Sequence, residues 1–103
     1  MTNTPQKEAL RGKILHYLAL IYPQAADLSL LQAELDLVGY PVPMDELNLH
    51  LAYLSEKKLI IPVLDLRAQR RGPSVRVVKI TAKGIDYYDG RLPADPGIYV
   101  EPK

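Results

Sequence analysis

A chain of 103 residues, 48% apolar and 24% charged, has the size and balance of one globular domain rather than of a disordered segment. It contains no cysteine, which excludes disulfides, thiolate metal sites and a cysteine nucleophile. The net charge is only +1, but it is unevenly placed: Pro23 to Ser55 holds no lysine or arginine, whereas Arg67 to Lys83 holds Arg67, Arg70, Arg71, Arg76, Lys79 and Lys83 and no acid.

Residues 1–13 are polar and charged, unlike a signal peptide, and no run approaches the roughly 18 apolar residues of a membrane span. A soluble, cytoplasmic protein without membrane contact is expected. Thr4-Pro5 suits a helix start, and Leu10, Ile14, Tyr17, Leu18 and Ile21 follow on one helical face until Pro23. Asp27 or Ser29 caps a second helix, with Ser29 and Gln32 at capping-box spacing. Leu31, Leu35 and Val38 form its buried stripe, and Gly39 stands where a left-handed helix end is expected. After the stiff link Tyr40-Pro41-Val42-Pro43, a third helix turns Leu47, Leu51 and Leu54 inward, with Lys57-Lys58 at its negative end.

The period then changes to that of strands. Leu59 to Leu66 is a strand whose Pro62 belongs on a sheet edge or at a bulge. Val75 to Thr81 is a strand rich in β-branched residues, and residues 67–74 supply the hairpin turn between the two. Thr81 caps a final short helix over 82–89, with Ile85 and Tyr88 inward. The fold class is α+β: a winged helix-turn-helix of three helices, a β-hairpin wing and a short C-terminal helix. The domain covers residues 1–90, and residues 91–103 form a proline-rich extended tail, packed or mobile; Tyr87 and Tyr88 offer either a packing shelf for Ile98-Tyr99-Val100 or a hold for a partner chain.

Two phrases carry a family resemblance. Leu51-Ala52-Tyr53-Leu54-Ser55-Glu56-Lys57-Lys58-Leu59-Ile60 resembles the recognition helix and following strand of bacterial repressors of the ArsR and MarR type. Ile80-Thr81-Ala82-Lys83-Gly84-Ile85-Asp86 resembles the step that follows their wing. The whole chain, including Leu30-Leu31-Gln32 and Leu37-Val38-Gly39-Tyr40, is similar to small winged-helix proteins of Mu-like prophages, whose function is not established. The resemblance implies fold and a phage context, and supplies no catalytic residues. The metal-sensing cysteines of many ArsR-type proteins are missing, and the last helix is shorter than the dimerisation helix of MarR-type repressors.

Two functions are expected from different classes. As a phage or bacterial transcriptional regulator, the protein binds double-stranded DNA. Arg67, Arg70, Arg71 and Arg76 then track the backbone or minor groove, and Asn48 and His50 read bases from the flanks of helix three. As a protein-interaction adaptor it uses the acidic face of helices two and three; in a homodimer or other self-assembly, the same face meets the basic wing of a neighbouring copy head-to-tail. Asp45, Glu46 and an exposed Leu49–Tyr53 pair then meet the partner, since the two acids repel a phosphate-lined groove and tyrosine favours interface cores. No enzyme is expected, and no metal or cofactor. His16 and His50 fall on different helices without a ligand set, Ser74 lacks a nucleophile elbow, and Gly72, Gly84 and Gly90 are isolated.

Overall fold

The α1 helix (Thr4–Ile21) buries Leu10, Ile14, Leu15 and Leu18, so that two adjacent positions, 14 and 15, both enter the core. The structure is a computed structural model that describes residues 4–64 and 75–101. After α1 come a short strand β1 (Ala26–Asp27), helix α2 (Leu28–Leu37) and helix α3 (Met44–Glu56). Strand β2 (Ile60–Leu64), strand β3 (Val75–Ile80) and helix α4 (Ala82–Tyr88) complete the described elements. The basic turn with Arg67, Arg70 and Arg71 lies outside the described residues, while Arg76 belongs to β3.

The caps follow from the sequence. Asp27 is the N-cap of α2, its carboxylate accepting from the Ser29 N–H at 2.8 Å, so the two residues divide the roles of cap and first turn. The capping box does not form; Gln32 instead donates to the Val42 carbonyl at 2.8 Å and ties α2 to the following link. Thr81 caps α4 through Gly84 N–H at 3.0 Å, and its hydroxyl donates to the Lys58 carbonyl at 2.7 Å. At the end of α2, Gly39 adopts a φ of 92°, and the Tyr40 N–H reaches back to the Leu35 carbonyl at 2.7 Å. This is a Schellman ending. Lys58 holds the same position after α3 with a φ of 67°, the Leu59 N–H bonding to the Leu54 carbonyl at 3.1 Å.

The sheet is antiparallel, in the order β1-β3-β2. Pro62 pairs with Val78 on the edge strand β2, where a residue without an N–H is tolerated. Strand β1, only two residues long, was not expected; it crosses Val78 and Val77 and closes the other side of β3. The core comprises α1, the inner faces of α2 and α3, and Ile60, Val78 and Ile80 of the sheet.

Two inward assignments need correction. On α2 the buried stripe is Leu28, Leu31 and Leu35, because the helix begins directly after Asp27 and ends before Val38, which is 53% exposed. On α4 Tyr87, not Tyr88, packs against the core; Tyr88 turns to α1, where its hydroxyl meets His16 Nδ1. Among the described residues the architecture is thus mixed α+β, four helices with a small three-stranded antiparallel sheet, and its element order is compatible with a winged-helix layout. Among the described residues no helix is long and apolar enough to cross a membrane.

Candidate functional site

Helix α3 begins at Pro43 without a side-chain cap, and Asp45 and Glu46 in its first turn complement the positive end of the helix. Its outer face presents Asp45, Asn48, Leu49 and Ala52 to solvent, with Leu49 71% exposed. Its inner face buries Leu47, His50, Leu51 and Leu54. Between this helix and the edge strand β2 runs a cleft of about 190 Å³, lined by Asn48, Leu51, Ala52, Ser55, Ile60 and Pro62. On the opposite flank a wider groove of about 780 Å³ is bounded by Pro41, Pro43, Asp45, Glu46 and Leu49.

His50 is not available to a base edge. It is 3% exposed, and its Nδ1 accepts from Arg11 Nε on α1 at 3.1 Å. An imidazole that accepts at Nδ1 carries its proton at Nε2. Among the described residues that nitrogen has no hydrogen-bond partner, and Glu46 Oε2 lies 3.5 Å away. Burial, and then the neighbouring Arg11 charge, hold the His50 pKa below its ordinary value; Glu46 opposes them without prevailing.

Tyr53 is also not the exposed half of a pair with Leu49. It is half-buried, with the Arg11 guanidinium 3.9 Å above its ring, and its hydroxyl donates to Asp95 Oδ1 at 2.8 Å. Both residues belong to a network that fastens the tail. Arg11 Nη1 donates to the Gly97 carbonyl at 3.0 Å, Gly97 N–H donates to Asp95 Oδ1 at 2.8 Å, and Lys57 Nζ lies 3.0 Å from Asp95 Oδ2. Burial alone would raise the Asp95 pKa, but the bonds from Gly97, Tyr53 and Lys57 together bring it below the usual carboxylate range. The same carboxylate pushes the Tyr53 and Lys57 pKa values up.

The tail is packed. Ile98 is 5% exposed, Tyr87 donates to the Ile98 carbonyl at 3.2 Å and accepts from Asp95 N–H at 2.8 Å, and Tyr99 N–H donates to Glu8 of α1 at 3.0 Å. Tyr87 thus supports Ile98 as expected, while Tyr88 lines a cavity of about 220 Å³ with Tyr99 and Val100. Arg11, which links His50, Tyr53 and Gly97, has no local sequence signal, since its hydrogen-bond partners His50 and Gly97 lie 39 and 86 residues away. Gly12 does carry a signal: an isolated glycine inside a helical pattern costs about 1 kcal/mol against alanine and asks for a packing reason, and here the tail crosses directly over it.

The structure thus leaves Asp45, Glu46, Asn48 and Leu49 on the accessible side of α3 and withdraws His50 and Tyr53 into the support of the tail. Compared with known proteins, the chain matches no protein-family model, no curated protein and no solved structure.

Proposed function

We propose that this is a non-catalytic winged-helix protein that binds duplex DNA through its basic segment. The observation that carries this reading is the antiparallel pairing of β2 with β3 across a connection that holds Arg67, Arg70 and Arg71, with Arg76 and Lys79 following in β3. Such a concentration of cations, free of acids, suits phosphate contacts that position a protein on DNA. Asn48, exposed on α3, remains the base-reading residue of this proposal; His50 drops out of it. Binding of a fluorescent mixed-sequence duplex across a salt series tests the reading, for the wild type and for Arg70→Glu/Arg71→Glu. Each phosphate contact adds about 0.9 to the slope of log affinity against log salt. A shallow, charge-reversal-insensitive curve, or no binding at low salt, overturns it.

A second reading has its own support. Leu49 is 71% exposed beside Asp45 and Glu46, an arrangement suited to a protein contact and repelled by phosphates. An adaptor built on the acidic half of the chain would use this surface, without Tyr53.

A further inference from the structure

The acidic half of the chain has a second apolar surface, on α2. This helix buries Leu28, Leu31 and Leu35 against the core. Its opposite side carries Leu30, 60% exposed, Ala33, exposed, and Leu37, 78% exposed. Positions 30, 33 and 37 stand at i, i+3 and i+7, so they form one ridge along the helix. Scattered surface leucines need no explanation, but an aligned ridge opposite a fully used core face does. At 100° per residue, Glu34 flanks the ridge on one side and Asp36 on the other. Because Pro23 to Ser55 holds no lysine or arginine, no cation in that stretch offsets these acids. Beside the ridge, Ser29, Gln32, Ala33, Asp36, Pro41 and Pro43 line a cleft of about 390 Å³.

We propose that this face of α2 docks an amphipathic helix of a partner protein whose apolar ridge is flanked by lysine and arginine. The proposal rests on the adaptor reading and moves its contact from α3 to α2. Charge selects the occupant. Nucleic acid and an anionic membrane surface are repelled by the flanking acids. A second copy docked face to face would set the Glu34 and Asp36 carboxylates of one molecule against those of the other. A basic amphipathic helix covers the leucines and pairs with the acids together, laying its apolar face along the ridge and a side chain into the cleft.

The probe is a labelled leucine–lysine amphipathic peptide of about 18 residues, or five turns, compared with a leucine–glutamate peptide of the same apolar ridge. Anisotropy titrations at increasing salt are expected to show binding of the lysine peptide only, weakening as salt rises. Leu30→Ser/Leu37→Ser is expected to reduce affinity by about tenfold or more, and Glu34→Lys/Asp36→Lys to switch preference to the glutamate peptide. All four changes are at positions away from the buried stripe, and urea unfolding confirms that the variants fold. Leu49→Ser is expected to leave peptide binding unchanged, and Leu30→Ser/Leu37→Ser to leave duplex binding unchanged. Loss of binding with Leu49→Ser but not with the α2 variants would overturn the proposal while sparing the adaptor reading. Equal binding of both peptides, or of neither, would overturn it independently of the duplex result. Sedimentation showing a dimer abolished by Leu30→Ser/Leu37→Ser would overturn it in favour of a second copy as occupant.

Discussion

Replacing Gly12 by alanine tests whether the tail is an integral part of the fold. Position 12 lies inside α1, where alanine ordinarily gains about 1 kcal/mol over glycine. Here the added Cβ would lie 1.7 Å from the Tyr99 carbonyl oxygen and 2.8 Å from its carbon. An ordinary C···O contact is about 3.3 Å, so the tail must retreat by roughly 1.5 Å, and the obstructing atoms are backbone, which cannot rotate aside. Retreat exposes Ile98, worth about 2 kcal/mol, and loses the bond from Tyr99 N–H to Glu8, worth about 1 kcal/mol. Set against the helix gain, Gly12→Ala is expected to destabilise by about 2 kcal/mol. In urea this lowers the unfolding midpoint by about 1–2 M, given a slope of about 1–2 kcal/mol/M for a chain of this size.

The decisive comparison repeats the substitution in an Ile98→Asp background, where an unpaired carboxylate has already undocked the tail. There Gly12→Ala is expected to change sign and stabilise by about 1 kcal/mol, because only the helix propensity remains. A stable Gly12→Ala protein, or an identical effect in both backgrounds, would refute the reasoning that the tail presses on α1.

Two further substitutions probe the fold. Lys58 occupies the left-handed region with a φ of 67°, a conformation costing a non-glycine residue about 1 kcal/mol, so Lys58→Gly is expected to stabilise by roughly 0.5 kcal/mol after its added unfolded-state entropy. A rise of a few degrees in Tm checks it. His50 is held neutral by burial and Arg11, with Lys7 acting in the same direction and Glu46 against them. The unfolded chain therefore takes up this proton more readily than the fold does. Stability from this group is full above the unfolded imidazole value of about 6.5 and is lost as pH falls through the lower, folded value. Urea unfolding at intervals from pH 8 to 5 should show the decline, and His50→Gln should flatten it.

The sequence was most legible where a local rule acts. Gly39 and Thr81 cap as their chemistry requires, Pro62 lies on an edge strand, and Leu47, Leu51 and Leu54 enter the core by spacing alone. Strand β1 escaped because two residues cannot establish a period. Leu28 escaped because the start of α2 was ambiguous between Asp27 and Ser29: a cap at Asp27 brings Leu28 into the helix, and a cap at Ser29 leaves it out. His50 escaped for a different reason. Its position, three residues after Leu47 and four before Leu54, is on the inward face, but a polar side chain is placed there only when its partner is known. That partner, Arg11, is supplied by another helix.

The tail network also limits how α3 can work. Asp95 accepts from Tyr53 and pairs with Lys57, so one of the two cations at the C-terminal end of α3, Lys57 and Lys58, is engaged by a carboxylate of the tail. The N-terminal end presents Asp45 and Glu46. A helix whose first turn is acidic, and which is followed by two lysines of which Lys57 is paired, gives a phosphate groove little electrostatic attraction along its length, whatever Asn48 contributes. In the proposed DNA complex the attraction therefore has to come from residues 67–83, while α3 and α2 keep their leucines and acids turned to other partners. The two proposed readings then divide the sequence by charge, the basic stretch to nucleic acid and the acidic stretch to protein.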